Sequence, residues 1–183
     1  MPLPEPSSVS HMLATLIDKQ RLALKRSPMI TDSEVLATLE LAHRHRAEAR
    51  YLRATQYPIQ ARVFDVAFDA CCVAAEALIE AYGFRTSGSE GSRTSVLGAA
   101  ALALHELGQE DVSEKLRTAD QVLRVKRNRA RYHELDAVGP QDVITAIEIS
   151  ETVVDTCASE IAKCLKVTIP DFVFGDLEID EHS

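Results

Sequence analysis

From Ile59 to Tyr82 apolar residues return with a period close to 3.6. Val63, Phe64, Ala67, Cys71, Ala74, Leu78 and Tyr82 fall on one face of a helix. This is the strongest periodic stretch in the chain, and it sets the fold class. Other segments carry the same period. Leu13, Ala14, Leu16, Ile17 and Leu24 mark a helix over Ser8 to Arg26, which Pro28 breaks. Val35, Leu36, Leu39, Ala42 and Leu52 mark one from Asp32 to about Thr55, capped by Thr31 or Asp32. Pro58 suits the first turn of the helix that follows, and Gly83 suits its left-handed end. A small apolar helix spans Ser92 to Leu107, a further one starts near Asp111, and a last one runs from Gln141 to Leu165 after Gly139-Pro140. Only Val167 to Phe174 hints at β alternation. The reading is an all-α, up-and-down helical bundle of about five to six helices. It divides into an N-terminal extension and helix (1–30), the bundle (31–165) and an acidic tail (166–183).

Composition narrows the function classes. Apolar residues are 46% and charged residues 26% of the 183, with aromatics at 5% and no Trp, which fits a globular helical chain rather than disorder or a β-sandwich. No apolar run reaches the roughly 18–20 residues that span a bilayer. Residues 1–10 hold three prolines and no basic side chain, unlike a secretory signal. The expectation is a cytoplasmic protein away from membranes. Cys71, Cys72, Cys157 and Cys164 form no CxxC pair and lie in apolar helical stretches, so they read as reduced core thiols.

The net charge is −8. It is not evenly spread. Residues 1–140 carry 18 acidic and 18 basic side chains, whereas residues 141–183 carry ten acids and two lysines. What a polyanion meets is the local field, so the acidic total does not exclude nucleic acid.

Motifs for phosphate loops, nucleophile elbows and zinc proteases are absent, and no metal or cofactor is expected. Gly88-Ser89-Glu90-Gly91 lacks the lysine of a phosphate cradle. His43 and His45 are two residues apart and point to different faces of their helix. Two basic clusters remain. Arg46, Arg50 and Arg53 follow an i, i+4, i+7 line; they read either as a solvated face with ion pairs to Glu40 and Glu48 or as phosphate contacts. The second cluster is denser. In Arg124-Val125-Lys126-Arg127-Asn128-Arg129-Ala130-Arg131 five of eight residues are basic, and His133 follows. A helix dipole accounts for two or three such cations. A histidine that both accepts and donates protons, beside arginines that grip phosphate, is the minimum for cleaving RNA without a metal. One chain supplies one such histidine there, so a full acid–base pair points to a two-fold dimer.

The stretch Arg127-Asn128-Arg129-Ala130-Arg131-Tyr132-His133 resembles the R-x(4–6)-H motif of HEPN domains, with a polar residue after the arginine. The Ala-rich helix around residues 67–78, the Gly83-Phe84-Arg85-Thr86 segment, the Ser89–Gly91 loop and the helix after Gly139-Pro140 resemble that family over roughly residues 35–165, closest to compact stand-alone bacterial types of the actinobacterial kind. The resemblance implies a helical bundle that dimerises and a metal-independent endoribonuclease leaving 2′,3′-cyclic phosphate ends, with toxin–antitoxin or defence associations. It implies Arg127 as phosphate-binding arginine, His133 as acid–base residue and Asn128 as orienting residue. Arg129, four residues from His133, is the alternative phosphate arginine. Arg124, Lys126, Arg129 and Arg131, with Arg46, Arg50 and Arg53, would contact RNA. A cognate antitoxin is a possible partner, although Leu135 stands where antitoxin-modified relatives carry tyrosine. The alternative readings are a non-catalytic HEPN module binding RNA, a nucleotide or a partner protein, and an unrelated helical interaction domain. The tail acids Asp171, Asp176, Glu178, Asp180 and Glu181 could shield the basic site or simply solvate the chain.

Overall fold

The computed structural model describes residues 7–18, 24–27, 29–86, 92–132 and 137–172. The fold is an all-α helical bundle with one small antiparallel two-stranded sheet. In chain order the elements are α1 (Ser7–Asp18), β1 (Leu24–Arg26), α2 (Asp32–Ala54), α3 (Gln60–Ala81), β2 (Phe84–Thr86), α4 (Ser92–Glu106), α5 (Glu110–Thr118), a π turn (Ala119–Leu123), α6 (Arg124–Tyr132) and α7 (Pro140–Leu165).

α3 is the central helix. It packs along α2 and α7 and also touches α4 and α6. Its composition suits that place: Phe64, Ala67, Phe68, Ala70, Cys71, Ala74, Ala75, Ala77 and Leu78 are fully buried. Small alanines let neighbouring helices approach, while Phe64, Phe68 and Leu78 fill the volume between them. Each large side chain so buried contributes roughly 1.5–3 kcal/mol. Leu39 of α2, Leu97 and Leu104 of α4, Leu116 of α5 and Ile161 of α7 complete the core.

Local chemistry sets the helix ends. Thr31, one of the two expected caps, accepts a bond from the Glu34 amide at 3.3 Å, and Glu34 accepts from the Thr31 amide at 2.8 Å. Gly83 and Gly108 close α3 and α4 at φ +84° and +77°, where a side chain would be strained. Pro140 opens α7, and the Asp142 carboxylate accepts from the Gly139 amide at 3.1 Å.

Three expectations are corrected. The first helix does not run to Arg26. It ends at Asp18, and Leu24–Arg26 pairs antiparallel with Phe84–Thr86, because strand pairing buries Leu24 and Phe84 together (4% and 3% exposed). β structure therefore forms there; Val167 to Pro170 carries no strand. Pro58 lies before α3 rather than in its first turn, whose N-cap is Ile59. No helix among the described residues is long and apolar enough to cross a membrane.

Candidate functional site

The basic run is helical. α5, the π turn and α6 are contiguous, and the Arg124 amide bonds the Ala119 carbonyl five residues back. Such single π turns are frequent at functional sites. The buried stripe of this unit is Val112, Leu116, Ala119 and Leu123, and its next member is Arg127, only 6% exposed. An arginine thus occupies a position in the apolar stripe.

α3 supplies what the buried guanidinium needs. Arg127 Nε donates to Asp65 Oδ1, and Nη2 donates to both oxygens of Asp69 at 2.8 and 3.0 Å. The guanidinium carbon lies 5.1 Å from the centre of the Phe68 ring. Asp65 and Asp69 are one turn apart, so their carboxylates project from the same face of α3 on which α6 rests. Beside them Ala61, Arg62, Asp65, Arg127 and Ala130 line a cleft of about 150 Å³. A water occupies roughly 30 Å³ of liquid, so the cleft has room for a phosphoryl group.

The other cations divide into two groups. Arg124 Nε donates to Asp120 Oδ1 at 2.9 Å, back on the π turn. Lys126 pairs with Asp142, tying α6 to the start of α7. The Lys126 ammonium and the Gly139 amide hold the Asp142 carboxyl below the usual carboxylate range. Asn128 and Arg129 are exposed, as are Val122 and Val125 earlier on the same helical unit. The α6 cluster therefore combines a buried clamp at Arg127 with an outward face at Asn128 and Arg129. His133 and the side chain of Arg131 lie outside the described residues.

The α2 arginines sit elsewhere. Arg46 pairs with Asp155 of α7, and Arg50 Nε donates to Glu151 of α7 at 2.7 Å. Their partners lie across the bundle on α7 rather than at Glu40 and Glu48; those two pair with Arg44 and Arg62. Arg53 is exposed. The structure thus separates the two basic clusters: α2 turns Arg46 and Arg50 to α7, while α6 rests on α3.

The cysteines form no disulfide, and Cys71, Cys72 and Cys157 are buried. Burial pushes the Cys71 thiol well up and that of Cys157 to about 12, which leaves neither a nucleophile. No group of described residues is arranged to hold a metal ion.

Asp65 and Asp69 escape a reading based on periodicity alone, because their helix reads as core. A signal was present: they are the only charged residues between Arg62 and Glu76, set at i and i+4. Comparison with protein-family models, curated proteins and solved structures finds no match.

Proposed function

We propose that this chain is a metal-independent endoribonuclease of the HEPN type, in which the α6 cluster holds the scissile phosphate. His133 moves the proton at the 2′-hydroxyl or at the leaving 5′-oxygen. The carrying observation is the Asp65–Arg127–Asp69 clamp. Burying an arginine between two carboxylates brings no stability that apolar residues of the same volume would not bring. Placed beside a phosphate-sized cleft and six residues before a histidine, it fixes the pitch of α6 and the start of the segment that bears His133. Arg129 then takes the phosphate contact and Arg127 serves as the positioning arginine, while Asn128 on the outward face orients the substrate. Exposed Val122 and Val125 are apolar residues that a second copy would cover, as a dimer sharing two histidines requires.

One observation favours a second reading. Asp65 and Asp69 neutralise Arg127, and Arg124 and Lys126 are paired within the fold. A module that binds RNA, a nucleotide or a partner protein without cleaving needs no more than this.

Incubating a mixed RNA pool in excess EDTA with wild type, Arg129→Ala and His133→Ala separates the two. The ribonuclease reading expects 2′,3′-cyclic phosphate ends from wild type and a loss of about 100-fold or more in His133→Ala. Retention of RNA binding with no cleavage by any of the three would select the module. Equal cleavage by all three would remove α6 from the chemistry.

A further inference from the structure

Residues 166–172 form a strap that follows α7. Lys166 turns the chain at φ +57°, and the Val167 amide closes that turn on the Ala162 carbonyl at 3.1 Å. Beyond Val167 the strap is held by apolar contact. Ile169 and Phe172 are partly buried against the core, while Thr168, Pro170 and Asp171 are exposed. Among the described residues, no backbone hydrogen bond holds residues 168–172. A segment docked through two side chains opens at far lower cost than a helix in the core.

The strap ends on His43 of α2. The Phe172 ring lies 4.9 Å from the imidazole and is tilted by 49°. Arg46 Nη2 meets His43 Nδ1 at 2.9 Å. A guanidinium only donates, so Nδ1 accepts and Nε2 carries the hydrogen. Nε2 is buried and has no hydrogen-bond partner. The neutral ring thus fits with one donor unsatisfied, and the charged ring fits worse. A proton on Nδ1 would set two cationic donors against each other, and the buried Nε2–H would need water. Arg46 is not free to swing away, because Asp155 of α7 holds it. On the strap, Asp171 is exposed and Lys166 lies at the far end. Burial and then the Arg46 charge push the imidazole down to about 4, while Asp155 pulls it up.

We propose that residues 166–172 are a proton-released strap, in which a charge on His43 is accommodated by lifting Phe172 off α2. Docking of the strap and protonation of the ring then oppose each other. Below the midpoint of the uncovered ring, each pH unit weakens docking by up to about tenfold. Release leaves a charged, hydrated imidazole beside Arg46 at the seam of α2 and α7. The inference does not depend on the ribonuclease reading.

NMR on the full chain, taken from about pH 7.5 to about 3.5, tests it. Circular dichroism over the same range follows the helices. Contacts between the Phe172 and His43 rings should be present at the upper end and vanish as His43 gains its proton. Amides of residues 168–172 should exchange about tenfold or more faster once it has. In His43→Asn, whose amide oxygen still accepts from Arg46 but which takes no charge, Phe172 should keep its docked ring shifts throughout. Ring contacts that persist on a charged His43 would overturn the proposal and make Phe172 a cation–π partner. Release at the same pH in folded His43→Asn would overturn it in favour of Asp155 or Asp171. Helices that unfold before His43 is charged would also overturn it. Should His43→Asn fail to fold, Asp155→Asn and Asp171→Asn take its place. A release pH unchanged in both supports His43 as the trigger, and a release abolished in either removes it.

Discussion

Arg127 carries the sharpest residue-level consequence. Removing one member of a buried charged group leaves the others uncompensated, so Arg127→Ala should destabilise the fold by about 3–5 kcal/mol. Replacing the whole group, as Asp65→Leu, Asp69→Leu and Arg127→Met together, should recover most of that loss. Urea midpoints of the single and triple variants decide it; a triple variant as unstable as the single would make the clamp structural and remove the argument for function. For the same reason Arg127→Ala is a poor probe of catalysis, and Arg129→Ala and His133→Ala are the informative changes. Glu34 gives a second residue-level consequence. The Thr31 amide and then the Arg85 side chain hold its carboxyl at about 2, against an ordinary 4.5. A carboxyl lowered in the folded state binds fewer protons there than when unfolded. Its contribution is complete above about 4.5 and is lost as pH falls toward 2. Acid titration of Glu34→Gln should therefore show a flatter fall in stability over that window than wild type.

At the scale of elements, the contact between α2 and the segment after α7 is the most testable. Past Leu165 the chain turns through Lys166, which has φ +57°, and runs on until the Phe172 ring lies 4.9 Å from that of His43. His43 Nδ1 meets Arg46 Nη2 at 2.9 Å. Burial, and then the Arg46 charge, lower the imidazole from 6.5 to about 4. Between those values the unfolded chain binds a proton that the folded chain refuses, so stability rises with pH from about 4 to 6.5 and is level above. Truncating the ring as Phe172→Ala should bring the His43 midpoint, followed by NMR, back toward 6.5. A midpoint that stays near 4 would mean that Arg46 and the helix, rather than Phe172, keep the ring neutral.

For the whole molecule, charge distribution governs what a polyanion feels. Ten of the 28 carboxylates lie in residues 141–183, and two of them, Asp155 and Glu151, answer the arginines of α2. The basic stripe on α2 is thereby matched at Arg46 and Arg50 by surface carboxylates of α7, while α6 keeps its outward residues at the surface. RNA affinity should consequently fall with salt chiefly through α6. Arg129→Ala should reduce the slope of log K against log[salt] by about 1, and Arg53→Ala should leave it unchanged. An equal drop for both would spread the binding surface over α2 as well. If the tail acids only solvate the chain, deleting 173–183 alters RNA affinity at physiological salt by no more than about twofold. A tenfold gain would make the tail a shield.

The helices themselves were legible in one dimension. Val63 to Leu78 announce a central helix through their spacing, and Thr31, Gly83, Gly108 and Pro140 announce ends, because caps and left-handed turns depend on neighbours within a few residues. The excess of cations at 124–131 was equally visible. Pairing across the chain was not. Leu24 reads as one more member of a helical stripe, but the segment Phe84–Thr86, some sixty residues away, draws it into a sheet opposite Thr86. Arg46 and Arg50 looked like a surface stripe until α7 brought Asp155 and Glu151 against them. Asp65 and Asp69 looked incidental in a core helix until α6 lowered Arg127 between them. By itself, the sequence determined that the chain is a set of helices, where α2, α3, α4 and α7 stop and where its positive charge is concentrated; the end of α1 at Asp18 it did not. Only the tertiary structure decided which cations are buried, which carboxylates hold them and which remain outward. Periodicity is a local property of backbone geometry, whereas the state of a charge depends on the partners that packing places within a few ångströms.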